Sequence, residues 1–311
     1  MKPFTIAYVT CRKTPKIEWF FASLAYEAQG NYDDIRIIVV DFYAQTHLAW
    51  TQQEVDSRKV LFRYWCQCPN YLHIPPKPTP WAGPHRLTKH DYFAAANTRN
   101  TAIAHCPDAY IAFVDDLSVL MPGWLKAARE AVENNRVVCG AFRKVKNIVF
   151  GTKLMFDDYP AGHDPRWKSG DSDKAVPCAP QWFFGCSLVS PIEAFLVANG
   201  YPESADGMGY EDCVTGEIIA RHGYPFFYDR RLLTYEDEVW HHVDKPMLRI
   251  DKGTSPNDKS HALLKMLAGA KESGNRYSLR EMRNNVLNNL PFTMPVRETV
   301  DWFDGQPLSE M

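Results

Sequence analysis

The first forty residues alternate in a pattern that few architectures accommodate. Phe4–Thr10 is a short apolar, β-rich run that stops at polar Cys11-Arg12-Lys13, the profile of a buried first strand. Ile17, Phe20, Phe21 and Leu24 then recur at helical spacing, and Ile35–Val40 is a second buried run closed by Asp41. Strand, helix and strand in that order make a right-handed βαβ unit and favour a parallel sheet. Ligands of open parallel sheets lie beyond the carboxyl ends of the strands. The residues that close these strands are therefore the first to question for chemistry.

The alternation continues. Residues 69–84 carry Pro69, Pro75, Pro76, Pro78, Pro80 and Pro84, a density that predicts a surface loop with no regular element. Thr88 with Asp91 predicts a helix start, followed by the alanine-rich stretch to Ala104. Ala109–Val114 reads as a third buried strand ending in Asp115-Asp116, and Pro122 opens a helix at its first turn. Val137–Ala141 reads as a further strand. Residues 151–180 are polar, with Gly and Pro throughout, and predict a long loop of the kind that serves as a lid. Strand returns over 182–190, helix over 191–199, helix again over 210–222 and a short strand over 225–228. Beyond about residue 245 the pattern is polar and helical (262–270 and 279–290), with no further strand.

Composition narrows the function classes. At 311 residues, 45% hydrophobic and 23% charged, the chain has ample material for a buried core. A formal charge of −2 argues against binding driven by clustered positive charge on nucleic acid. No run of about 18 apolar residues occurs and the apolar N-terminal stretch is too short for a signal sequence. The expectation is a protein of the cytoplasm with no integral membrane association. The eight cysteines are scattered and mostly embedded in apolar runs, as reduced, buried thiols would be. Cys66-Gln67-Cys68 has the wrong spacing and no second pair for zinc.

Four constellations carry potential chemistry. Asp115-Asp116 suits a divalent cation that neutralises a diphosphate, or an Asx-capped turn. Glu211-Asp212, early on a helix, suits a general base for an acceptor hydroxyl, or helix-start stabilisation by the macrodipole; the glycines of Gly207-Met208-Gly209 ahead of it would permit close approach of a substrate. Arg99, followed by Asn100 on a small-residue helix, suits phosphate, or a pairing with Asp41 or Asp115. His241-His242, preceded by Trp240, could complete a metal site or stand exposed.

Order and spacing tie these pieces together. Ala96-Asn97-Thr98-Arg99-Asn100, then Tyr110–Asp116, then Met121-Pro122-Gly123-Trp124-Leu125, resembles glycosyltransferase family 2. So does the block from Trp182 through Gly185 and Asn199-Gly200-Tyr201-Pro202-Glu203 to Glu211-Asp212 and Arg221-His222-Gly223-Tyr224. The resemblance covers roughly residues 4–240. It implies a GT-A fold, α/β and Rossmann-like, with a mostly parallel central sheet flanked by helices over residues 1–244. Residues 1–120 would form the nucleotide-binding half, 121–244 the acceptor and catalytic half with its lid at about 151–180, and 245–311 a helical C-terminal extension.

The same resemblance implies roles. Thr10, Arg12 and Asp41 would surround the base and ribose of a nucleoside-diphosphate sugar, UDP by family habit, and Arg99 would brace that pocket. Asp115 would open the Asp-x-Asp motif, and Asp212 would be the base of an inverting displacement with Glu211 as second candidate. A divalent cation, Mn2+ or Mg2+, would hold the leaving diphosphate. Leu117 stands where the motif has its second Asp, so Asp116, joined by His241 or His242, would have to take over, or basic side chains would replace the metal. Asp157, Asp158, His163 and Trp167 are the substrate-facing residues expected in the lid.

Two other readings compete. Sugar-1-phosphate nucleotidyltransferases need a Gly-rich loop after the first strand, and Thr10–Pro15 has no glycine. A non-catalytic nucleotide- or carbohydrate-binding module draws on Leu117, against Asp212 and Arg99. The acceptor stays open: a saccharide, which Tyr71, Trp81 or Trp167 could stack on, or a modified nucleic acid, for which Arg143, Lys144, Lys146, Lys271, Arg276, Arg280 and Arg283 supply charge. Oligomeric state is not readable.

Overall fold

A computed structural model describes residues 1–46, 50–78, 95–150, 154–203, 210–243, 267 and 269–294. In chain order the elements are β1 (Phe4–Thr10), α1 (Ile17–Ala28), β2 (Ile35–Asp41), α2 (Gln52–Trp65), β3 (Tyr71–Ile74), α3 (Ala95–His105), β4 (Tyr110–Asp115), β5 (Ser118–Leu120) and α4 (Trp124–Glu133). There follow β6 (Val137–Phe150), β7 (Leu154–His163), β8 (Val176–Pro177), β9 (Ser187–Pro191), α5 (Ile192–Val197), α6 (Glu211–Arg221), β10 (Phe226–Asp237), α7 (Glu238–Val243) and α8 (Leu279–Leu287).

The strands form one sheet in the order β3-β2-β1-β4-β9-β6-β10-β5, with β7 on β6 and β8 on β10. β3, β2, β1 and β4 run parallel, as the βαβ opening requires. β9 then runs against both β4 and β6, and β10 is parallel to β6. All seven side chains of β1 are buried, because helices cover both faces of the sheet. One core joins it to α3, α5, α6 and α8, the other to α1, α2 and α4. The carboxyl ends of β1, β2, β4, β6 and β10 therefore share one edge, with the switch point beside β1 and β4.

Three segments depart from the sequence pattern. Tyr71–Ile74 is a strand although prolines crowd the stretch; it precedes Pro75 and occupies the sheet edge, pairing only with β2, where proline is tolerated. Within the expected 151–180 loop, Leu154–His163 forms an antiparallel hairpin with β6. Leu154 and Phe156 turn inward between exposed neighbours, the half-wet alternation of an antiparallel edge, which averages to a polar segment. β10 is 12 residues long, far beyond the short strand expected over 225–228. The helix start at Thr88–Asp91, Trp81, the glycines of 207–209 and most of 262–270 lie outside the described residues. After Asp237 no described residue is in a strand, and Leu267, Tyr277, Leu279 and Met282 are buried in the core that holds α3 and α6.

Candidate active site

α3 can lie close on the sheet because Ala96, Ala102 and Ala104 are small and fully packed. In that helix Arg99 is 4% exposed. Its Nη1 donates to Glu211 Oε1 at 2.7 Å, and its Nη2 to Asp115 at 3.0 and 3.3 Å. One guanidinium thus joins the carboxyl end of β4 to the first turn of α6. Burial opposes its charge, but the Asp115 and Glu211 carboxylates outweigh burial and hold its pKa well above the ordinary value. Beside it, the Gly185 N–H donates to Asp212 Oδ2 at 3.0 Å, and Asp212 Oδ1 accepts from the Cys213 N–H at 2.8 Å. A Cβ on residue 185 would lie 2.1 Å from Arg99 Nη2, so only glycine allows the base candidate and the bridge to sit this close.

Asp116 turns the other way. Its Oδ2 accepts from Thr10 Oγ1 at 2.8 Å and its Oδ1 from Arg12 Nε at 2.9 Å. Arg12 Nη2 lies 3.0 Å from His241 Nδ1, and because a guanidinium can only donate, this nitrogen accepts and the imidazole is neutral. Burial, then the Lys144 and Arg12 charges, push His241 down to about 4. Thr10, Arg12, Asp116 and His241 are thus brought together, linking β1, the turn after β4 and α7. Leu117 adopts φ 60°, uncommon for so bulky a side chain, and is buried among Trp19, Val119 and Val145. The position that the motif gives to a second Asp is here a core residue.

Asp41 is fully buried. Arg58 donates to it from Nε at 2.5 Å and from Nη2 at 3.0 Å, His73 Nε2 lies 2.9 Å away, and the Tyr43 N–H donates at 3.0 Å. Burial opposes its ionisation, yet Arg58 and His73 hold the carboxyl below its ordinary value. Arg58 also donates to the carbonyls of Arg12 and Lys13. Asp41 therefore orders the β1 loop through Arg58 instead of offering its oxygens to a nucleotide, a correction to the sequence expectation. The missed partner had a signal: Thr51-Gln52-Gln53-Glu54 is a capping box that announces α2, the helix carrying Arg58.

Other polar groups at this edge escaped the sequence. Glu236 on β10 lies near Asp115 and Asp116; burial and those two carboxylates raise its pKa against the pull of Lys144. Lys144 reaches Glu236 at 3.1 Å and Glu238 at 3.3 Å. Behind α3, the 3% exposed Lys77 side chain pairs with Glu203 at 2.7 Å, and Glu203 Oε1 also accepts from Asn100 Nδ2 at 2.7 Å and Tyr277 Oη at 2.6 Å. β10 has no period-two alternation that could have flagged Glu236, and nothing local marks Lys77.

The residues expected to share a cation do not fit one. Both Asp116 oxygens are engaged by Arg12 and Thr10, Asp115 accepts from Arg99, and His241 faces a guanidinium. His242 is exposed, with Nε2 3.1 Å from Glu238. Among the described residues no group of three His, Cys, Asp or Glu side chains is placed to hold a metal.

No protein-family model matches the chain, and no curated protein does. Solved structures do. S. aureus TarS 1–349 superposes with a TM-score of 0.53 at 14% identity, over 93% of this chain and 71% of that one. The same fragment in complex with UDP-GlcNAc gives 0.55 at 13% identity, over 93% and 72%, and in complex with UDP 0.54 at 13%. Against the longer TarS structure the match spans 42% of that chain, with a TM-score of 0.52. The fold is GT-A, as the sequence resemblance implied. No described helix is long and apolar enough to cross a membrane.

Proposed function

We propose that this chain is a glycosyltransferase that moves a sugar from a UDP-sugar to an acceptor hydroxyl with inversion. Asp212 takes the proton as the acceptor oxygen attacks the anomeric carbon. The bond from that carbon to the diphosphate oxygen breaks, and UDP leaves with the bonding pair. The Gly185 N–H orients the Asp212 carboxylate, and Arg99 braces it through Glu211. Asp115, at the open end of β4, faces the donor; Thr10, Arg12 and the loop that Arg58 orders form the nucleotide side.

The observation that carries this reading is the Arg99 bridge, which sets a strand-end Asp and a helix-start Glu-Asp pair around one guanidinium at the ligand edge of the sheet. The choice of UDP is supported by the likeness to TarS structures that hold UDP and UDP-GlcNAc. The test is a screen of nucleoside-diphosphate sugars for release of the diphosphate, with wild type and Asp212→Asn. One donor should be turned over by wild type, and the variant should lose about 100- to 10,000-fold in rate. Absence of both turnover and thermal stabilisation by every nucleotide tried would overturn the reading.

A further inference from the structure

Against the middle of β6 and the carboxyl half of β10 lies a cavity of about 160 Å³. Its walls are the rings of Phe142, Trp167 and Tyr235 with Leu233, and Arg143 and His163 supply polar edges. A void of about 150 Å³ holds one six-membered ring, so this cavity has room for a single ring. Given the glycosyl transfer proposed above, the geometry points to this cavity as the acceptor subsite, holding one neutral pyranose ring of a saccharide.

Four observations converge on a sugar. Aromatic walls with a few polar groups match a pyranose, whose C–H faces are apolar and whose hydroxyls project from its edges. The segment that carries His163 and Trp167 is preformed: Asp164 and Arg166 are buried ion partners at 2.7 Å, Arg166 donates to the carbonyls of Gly140 and Trp182, and its guanidinium lies 4.2 Å from the Phe184 ring centre. Arg230 stands 4.9 Å from the Trp167 ring centre and steadies the indole. Arg143 donates to Tyr235 Oη and to Asp158, which fixes its guanidinium at the polar edge of the cavity, where a ring hydroxyl would meet it.

Position and charge complete the case. Phe142 packs on Phe184, ring centres 6.4 Å apart, and Phe184 precedes the glycine that holds Asp212. The wall of the cavity is thus joined through Phe184 to the anchor of the base. Asp158 and Asp164 neutralise Arg143 and Arg166, so the cavity lacks the clustered positive charge that a nucleic-acid acceptor calls for.

The test uses full-length protein labelled with 5-fluorotryptophan, the Trp167 resonance being assigned from Trp167→Phe. Methyl β-glucoside, methyl β-galactoside and methyl N-acetyl-β-glucosaminide are titrated into it. At least one should shift the Trp167 signal saturably, and Arg143→Leu should weaken that glycoside about tenfold. No shift with any glycoside, or a shift with a single-stranded oligonucleotide alone, overturns the assignment. Thermal shifts of wild type with UDP are read in parallel: a UDP response without a glycoside response sinks the subsite and leaves the donor reading standing. A glycoside response with no nucleotide response sinks the donor reading and, with it, the acceptor role of the cavity, leaving only a sugar-binding site.

Discussion

Gly185→Ala would set a carbon 2.1 Å from Arg99 Nη2, so the guanidinium must give up Asp115 or Glu211. We expect diphosphate release to fall by about 100-fold, the usual effect of displacing catalytic groups by an ångström, and unchanged kinetics would show that the bridge is dispensable. His241 predicts a pH effect. In the unfolded chain it protonates near 6.5, in the fold only at about 4, so below pH 6.5 the unfolded state takes up the proton first. The stability held above that value is lost as pH falls towards 4. Melting temperature should drop over this window in wild type and less steeply in His241→Gln; identical slopes would remove His241 from the account. At this scale the meeting of Arg99 with Asp115 and with the start of α6 at Glu211-Asp212 was legible because a motif carries them in fixed order. The partners of Asp41 and Asp116 were not legible, because Arg58 and Arg12 lie 17 and 104 residues away in sequence, and no local pattern says which carboxylate a cation will claim.

Elements were legible where burial is two-sided. β1 and β2 read cleanly as apolar runs, while the one-sided β7 and the short edge strand β3 were hidden by exposed residues and prolines. The C-terminal stretch shows how a segment with little periodicity still becomes structural. Ser273, Asn275 and Tyr277 bond to Asn199, Tyr201 and Glu203, pinning the turn that leads towards α6. Burial presses the Lys77 pKa down, against the pull of Glu203. Glu203→Gln would leave that ammonium buried without its counter-charge, and urea unfolding should register a loss of about 3–5 kcal/mol. Tyr277→Phe, which removes only one hydrogen bond, should cost about 1–3 kcal/mol. Equal costs for the two would mean that charge is not what the network satisfies.

For the whole molecule, the βαβ opening was enough to foresee a parallel sheet with its ligand edge at β1 and β4, but not the reversed β9 in its middle, since pairing direction depends on contacts distant in sequence. If that edge receives a nucleotide, UDP at about 100 times its dissociation constant should stabilise the fold by about 2.7 kcal/mol. A thermal shift measures this, and its absence in Arg12→Ala would locate the binding on the β1 side.

Arg99 is also a shared counter-ion between two parts of the chain that meet only in space. A ligand that engages Asp115 on one side changes how much of the guanidinium Glu211 keeps on the other. Messages through such a charge run both ways: if a nucleotide raises the affinity for an acceptor by some factor, the acceptor must raise the affinity for the nucleotide equally. Arg99→Lys, whose single ammonium cannot span both carboxylates, should uncouple the two ligands even where each still binds.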